Sequence, residues 1–350
     1  MLVSGKELSP MLRGLTTEQC RLLLNTLSAT LGILVAQEDT QEKTIHQPLR
    51  NHITTKEQNT TLFMPASDSS CTGIKVVTVP SRGGPIEGAI TIFAPEGQLI
   101  GMLSAAEITA FRTALAVMTL FTRCADLKKR NIVVFGSGKQ AEWHVRLALK
   151  LVPHEVQKIT VINRGRQRLE QVDEDVLSPL RQHHPAVTMK GLAKEGTPDF
   201  DAQLQAELAE SDVIFCCTPS TEPLFPNSYL QPKVGESKKQ RFISMIGSYK
   251  PHMQEIDAET LLSGGKIYVD SKEACLEESG ELIKAQVQSD QLIEVGELFY
   301  PGKEIKQVVT PADTNVVFKC VGMGVMDLVV SKTLLQIAKE LGVGTPIEGF

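Results

Sequence analysis

The sequence predicts an α/β protein in two parts, an α+β first part with a mostly antiparallel sheet and a second part of parallel βαβ units. Three patterns in its 350 residues point there. Apolar–polar alternation broken by Gly/Pro turns fills residues 61–104, and strands alternate with helices beyond residue 131. A last helix then follows Gly322-Met323-Gly324 and runs to about Leu341, from where the chain can return to the first part. Length alone favours two cores over one.

From Thr17 to Val35, Leu22, Leu23, Leu27, Leu31 and Leu34 recur at helical spacing, with Thr16 or Thr17 as the cap and Gln19 beside it. Residues 36–60 are polar and read as loop or short strands. TLFMPAS, GIKVVTV, GAITIFA and QLIGML then read as four strands, and Ala105–Thr122 as a helix. The polar, charged CADLKKR that follows marks a junction between domains. Beyond it come NIVVF, a helix over 139–151, KITVIN, a helix from about 165, VTMKGL, a helix over 201–210, then DVIFCCT, RFISMIG and KIYVD. VIFCC and ISMI are apolar throughout, as strands covered on both faces must be.

Composition excludes some classes. Hydrophobic residues make up 42%, and a net charge of -5 offers no basic surface for nucleic acid. Seven cysteines, odd in number and without metal-ligand spacing, suit reduced thiols in the cytoplasm and give no metal site. The N-terminus lacks a basic and an apolar leader region, and no apolar run reads as a membrane span.

The chemistry starts at VVFGSGKQA, residues 133–141. A Gly-x-Gly-x-x-Ala turn that follows an apolar strand and opens a helix is a dinucleotide-binding fingerprint of the Rossmann kind. Gly136 lets the turn tighten and Gly138 removes a side chain that would block the phosphates. The backbone around Ser137, Gly138, Lys139, Gln140 and Ala141 then meets the pyrophosphate at the helix N-terminus. The next strand ends in Asn163-Arg164 rather than in the carboxylate that NAD sites use for the ribose 2′-hydroxyl. A guanidinium matches a 2′-phosphate, so NADPH is expected over NADH. A solvated first helical turn is the plainer reading of Arg164, Arg166 and Arg168.

Three cations stand beside apolar or small residues in the first part: Arg50 in QPLR, Lys75 at the end of MPASDSSCTGIK, and Arg112 in ITAFRTA. Without obvious local carboxylates, they suggest an anionic ligand, although each singly reads as a surface cation with a buried stem.

These stretches, with VSGKEL, GAITIFAPEGQLIGML, DVIFCCTPSTEPLF, IGSYKPHMQEID, YVDSKEACLEESGELI and VFKCVGMGVMDL, make the chain resemble the ornithine cyclodeaminase/mu-crystallin family over nearly its whole length. The resemblance implies a Rossmann domain (125–314) inserted in a substrate-binding and dimerisation domain made of residues 1–124 and a returning 315–350. It makes Arg50, Lys75 and Arg112 the clamp for a substrate α-carboxylate and places Thr113 near the cofactor. Thr218, Ile246, Gly247 and Cys320 to Met323 would border the nicotinamide. VINR looks more like mu-crystallin, which uses NADPH, than like ornithine cyclodeaminase.

One position departs from the family pattern. Where cyclodeaminases and archaeal alanine dehydrogenases carry a catalytic Asp, this chain has Tyr249. Oxidising and cyclising an amine needs repeated proton transfers that a carboxylate serves, whereas reducing a preformed C=N bond needs one proton and a held carboxylate. The expected activity is therefore NADPH-dependent reduction of a small cyclic ketimine carboxylate by a homodimer. Lys75 is the candidate proton donor, with Tyr249 and His252 behind it. Amino-acid oxidation or deamination, and a silent NADPH-binding protein, stay open as alternatives. Glu255 reads as a cap for the next helix, Asp257 likewise as structural, His144 as packing and Cys216-Cys217 as buried strand residues.

Overall fold

The computed structural model describes all residues except 39, 233, 234, 236, 310, 312, 348 and 350. The chain divides into two compact units: Met1–Ala116 with Gly296–Ile305 and Gly322–Phe350, and Val117–Val295 with Lys306–Val321. The exchanges fall at Ala116/Val117 and Val321/Gly322, against the expected 124/125 and 314/315, and Gly296–Ile305 joins the first unit.

The first unit holds a six-stranded sheet in the order β1-β6-β5-β4-β3-β2. Its strands are β1 (Leu2–Val3), β2 (Asn51–Thr54), β3 (Thr60–Asp68), β4 (Cys71–Val79), β5 (Glu87–Phe93) and β6 (Leu99–Ser104). All neighbours are antiparallel except β1 and β6. The polar stretch after residue 36 thus contributes one short edge strand, β2, whose residues are all exposed.

Helices α1 (Gly5–Gly14), α2 (Thr17–Ala36) and α3 (Ala105–Phe121) belong to the same stretch of chain. Thr16 caps α2, accepting from the Gln19 N–H (3.2 Å) while the Thr16 N–H donates back to Gln19 Oε1 (2.9 Å), a reciprocal capping box. Against the expectation that no run reads as a membrane span, α2 is long and apolar enough to cross one by length and composition. Its Leu23, Leu27 and Leu31 are instead buried in the unit.

The second unit carries an eight-stranded sheet, parallel throughout, in the order β13-β12-β14-β11-β10-β7-β8-β9. These strands are β7 (Asn131–Phe135), β8 (Lys158–Asn163), β9 (Thr188–Ala193), β10 (Val213–Cys216), β11 (Phe242–Met245), β12 (Ile267–Val269), β13 (Leu292–Glu294) and β14 (Val316–Lys319). Between them run α4 (Lys139–Leu151), α5 (Arg166–Val172), α6 (Ser178–His183), α7 (Phe200–Glu210), α8 (Ala258–Leu262), α9 (Lys272–Glu278) and α10 (Gly280–Lys284). Every residue of β10, β11 and β14 is buried, as a sheet covered on both faces requires. This is the Rossmann arrangement, and its order reverses between β7 and β10, where such sheets take their ligands.

One expectation needs correcting. Residues 316–319, assigned from the sequence to a segment returning to the first part, form β14 inside the parallel sheet, paired with β11 and β12. Only then does the chain re-enter the first unit as α11 (Gly324–Glu340), which packs on β3, β4 and α2. A Cβ on Gly73 of β4 would come within 2.7 Å of Leu328 of α11, so the sheet stays bare there to let the helix approach.

Candidate active site

In the second unit the phosphate turn joins β7 to α4. Gly136 has φ 109° and donates its N–H to the Ile162 carbonyl (2.9 Å), and a Cβ on it would lie 2.8 Å from the Cys217 carbonyl oxygen. Glycine is required there by conformation and by packing. Gly138, the N-cap of α4, differs: φ is -100°, and a Cβ would meet no protein atom within 4 Å. Neither strain nor packing demands a glycine at 138. An empty cradle at a helix N-terminus fits the close approach of a pyrophosphate.

Beside the turn lies a cleft of about 560 Å³ whose lining includes Gly136, Asn163, Arg164, Lys194, Phe200, Asp201, Thr218 and Tyr229. Four sequence-predicted cofactor residues, Gly136, Asn163, Arg164 and Thr218, therefore share one cavity. Ser137 and Ala141 are buried in the turn and the helix start, and Lys139 is exposed at the first position of α4. Asn163 turns its amide back onto the Gly165 carbonyl (2.8 Å), which holds the bend that presents Arg164. Arg166 is occupied elsewhere, donating through Nη2 to the Glu195 carbonyl (3.1 Å). Lys194, which the sequence reading missed, enters the same cleft, and its N–H donates to the Asn163 carbonyl (2.9 Å). Its signal in the sequence is its place directly after the third parallel strand, where ligand-facing loops begin.

Thr218 and Gly247 are tied together by one side chain. Glu255 accepts from the Thr218 N–H at Oε1 (2.8 Å) and from the Gly247 N–H at Oε2 (2.7 Å). The capping role expected for Glu255 is wrong. Asp257 caps α8, accepting from the Thr260 N–H (2.8 Å), and leaves Glu255 to bridge the loops after β10 and β11. Behind it, the Glu255 N–H donates to Glu281 Oε1 (2.7 Å), and Lys319 faces Glu281 at 3.4 Å. Burial pushes the Glu255 carboxyl up to about 8, while Lys319 and the backbone donors pull it the other way. Ile246, next in the same loop, is buried, and its N–H donates to the Cys216 carbonyl (3.1 Å). The Cys320 thiol donates to Asp270 Oδ2 (3.2 Å).

The histidine and cysteine candidates stay structural. His144 is fully buried with Nδ1 donating to the Gln140 carbonyl (2.7 Å), and burial pushes its pKa down to about 4. Burial holds the thiols of Cys216 and Cys217 well above the ordinary range, so neither supplies a thiolate. His252 is exposed. No group of three or more metal-ligating side chains occurs among the described residues.

In the first unit the structure brings two of the clamp cations onto one carboxylate. Asp327, in the first turn of α11, receives Lys75 Nζ at Oδ2 (2.6 Å) and Arg112 Nε at Oδ1 (2.8 Å). The three side chains are 1–4% exposed. The sequence shows no obvious local carboxylate for these cations, and Asp327 corrects that premise from far along the chain: it offsets the cost of burying Lys75 and Arg112. It stands in the quoted VFKCVGMGVMDL, 215 residues from Arg112, and only the fold joins them.

Gly322 makes room for the guanidinium, since a Cβ there would sit 2.7 Å from Arg112 Nη1 and its φ is 90°. Arg50, half-buried, is close enough to act on Lys75 electrostatically. Burial drives the Lys75 pKa down to about 8, with Asp327 opposing and Arg112 and Arg50 adding to the fall. Thr113 is buried next to Arg112 in α3, and Met323 is the buried N-cap of α11, both in the first unit.

The profile of the ornithine cyclodeaminase/mu-crystallin family matches residues 16–341. The chain belongs to this family. A Delta(1)-pyrroline-2-carboxylate reductase of Bacillus cereus is 27% identical over 351 residues, covering 95% of this chain and 98% of its own. The ketimine reductase mu-crystallin of Mus musculus is 27% identical over 256 residues, 73% of this chain and 69% of that one. Among solved structures, the Thermococcus litoralis Delta(1)-pyrroline-2-carboxylate reductase in complex with NADH and L-proline superposes with a TM-score of 0.79 at 20% identity. That match covers 99% of this chain and 100% of the other, and it shows a shared fold.

Proposed function

We propose that this family member is an NADPH-dependent reductase of small cyclic ketimine carboxylates, such as a pyrroline- or piperideine-2-carboxylate, yielding the cyclic amino acid. The observation that carries this reading is the buried Lys75–Asp327–Arg112 cluster with Arg50 beside it. Lys75 and Arg112 converge there on Asp327, and Arg50 acts on Lys75, a concentration of cations of the kind that receives a substrate carboxylate. The names of the Bacillus cereus and mouse relatives point to the same substrate class.

When bound, NADPH supplies the hydride that the imine carbon accepts as the C=N electron pair moves to nitrogen. The protein's part is to hold the carboxylate with Arg50, Lys75 and Arg112, and to deliver the balancing proton to that nitrogen from Lys75 Nζ. Lys75 then regains a proton from solvent. Tyr249 stands where the oxidising and deaminating members keep a carboxylate, which favours reduction over amine oxidation. Gly136 to Ala141, Thr218 and Gly247 hold the pyrophosphate and nicotinamide half. Thr113, Ile246, Cys320 and Met323 complete the cofactor set.

Arg164 and Lys194 are assigned to the 2′-phosphate, against two carboxylates, Asp201 and Glu222, in the same cleft. We assign the protein to the cytoplasm, in keeping with seven cysteines that form no disulfide, and read it as a homodimer from the family resemblance. The test is cofactor oxidation over a panel of cyclic ketimine carboxylates with NADPH and NADH in parallel. Consumption of NADPH with at least one ketimine supports the reading, and none with any of them refutes it.

A further inference from the structure

Asp327 poses a physical question: why does a cluster assigned to bind a carboxylate already contain one? Burying a lone ammonium costs more than a folded unit can carry, so a buried lysine either finds a counter-charge or gives up its proton. Lys75 lies on β4 with its side chain 2% exposed, and two positive neighbours act on it, Arg112 from α3 and Arg50 from the segment before β2. Burial and both arginines favour the neutral amine. Among the described residues, Asp327 is the main charged group that favours the ammonium, through an ion-pair contact of 2.6 Å at Oδ2.

The fold fixes that carboxylate. Asp327 sits in the first turn of α11, where the helix dipole favours a negative charge, and a Cβ on Gly324 would come within 2.9 Å of the Met64 carbonyl oxygen, so α11 enters hard against β3. β3 and β4 are in register at Met64 and Lys75, which brings the lysine to the place where the helix begins. Arg112 meets the same carboxylate through Nε, on the flank of its guanidinium.

We infer that Asp327 is a positioning residue for Lys75: it keeps the side chain an ammonium ion near neutral pH and locks it in place beside Arg112. This rests on the proposed reading in so far as the ammonium serves the substrate. A carboxylate ligand needs the charge, and an imine nitrogen needs the proton. The neutral amine that burial and Arg112 favour would supply neither. Asp327 therefore sets the pH range of the site without touching the substrate.

The direct experiment is a Nζ-selective ¹⁵N NMR titration of the full chain, with the Lys75 signal identified by its loss in Lys75→Arg. In Asp327→Asn, which keeps the shape and removes the charge, the Lys75 pKa falls by at least about one unit, and Asp327→Glu restores it. An Asp327→Asn pKa within a few tenths of the wild-type value overturns the inference. Binding of pyrrole-2-carboxylate as a function of pH adds a measurement that needs no change at Asp327. Its alkaline decline disappears in Lys75→Arg, whose guanidinium does not titrate in this range, and persistence of the decline overturns the inference as well. Both measurements are independent of turnover. A wild-type protein that reduces no ketimine while Asp327→Asn shifts Lys75 refutes the proposed reaction and leaves the Asp327–Lys75 coupling standing.

Discussion

Two glycines two residues apart separate what the fold needs from what the ligand needs. Gly136→Ala is expected to cost about 2 kcal/mol or more, because a positive φ and a clash with the Cys217 carbonyl act together. Gly138→Ala leaves unfolding by urea within about 0.5 kcal/mol of wild type, yet weakens NADPH binding at least about tenfold, since its Cβ meets space kept for the phosphates. Equal losses of stability in the two variants would contradict this. Lys75 has a depressed folded pKa, about 8 against an ordinary 10.5, so its contribution to stability is present above pH 10.5 and is lost as pH falls through about 8. Activity runs the opposite way: kcat/KM, which needs the ammonium, declines as pH rises through about 8, and a profile flat to about pH 9.5 would remove Lys75 as proton donor. Arg164→Ala is expected to raise the Kd for NADPH about tenfold or more and to leave that for NADH nearly unchanged, as equilibrium titration with each nucleotide reads directly. At this scale the sequence showed the turn, Asn163-Arg164 and the three cations. Asp327 and Lys194 escaped it because each gains its meaning from a partner brought up by folding.

Among the elements, the loop that follows β10 is tied to the loop that follows β11 by Glu255, which lies further along the second of them. Removing its carboxylate strands three backbone N–H groups, those of half-buried Thr218 and Gly247 and of buried Ser248, so Glu255→Ala is expected to cost about 3 kcal/mol and to loosen the loops carrying Thr218 and Gly247. The folded pKa of Glu255 is raised, to about 8 from 4.5, so its stabilising contribution is full below pH 4.5 and is lost as pH rises through about 8. The stability gap between wild type and Glu255→Ala, measured by urea unfolding, accordingly narrows from pH 5 towards about pH 8; a gap that widens would mean that the carboxylate is ionised in the fold. Periodicity made the long elements legible, α2, α3, α4, α7 and the antiparallel strands among them. It failed for β13 and β14, where two or three apolar residues look alike in a strand, a loop or a helix start. The Glu255 role was hidden for a related reason: Asp257, two residues on, is an equally good helix cap by spacing, and only the geometry assigns the cap to Asp257 and the loops to Glu255.

For the molecule as a whole, the order of patterns along the chain carried the architecture: antiparallel alternation, then βαβ units, then one helix more. The recognisable family stretches fall in both units, so the fold class is legible in the sequence. The short Gly296–Ile305 segment, which joins the first unit, is not, because it interrupts the second part without a change of composition. In the proposed reading the cleft of the parallel unit takes the dinucleotide and the cationic cluster of the antiparallel unit takes the substrate carboxylate. On that reading both serve one hydride transfer to a C=N carbon. It is tested most directly by supplying NADPH deuterated at C4 together with Δ1-pyrroline-2-carboxylate and reading the product by mass spectrometry. Proline carrying one deuterium, at the carbon that bears the carboxylate, is expected from one of the two C4-labelled epimers. Oxidation of the cofactor with unlabelled proline from both epimers, or proline and ammonia released from ornithine by the same protein while the ketimine goes unreduced, would contradict it.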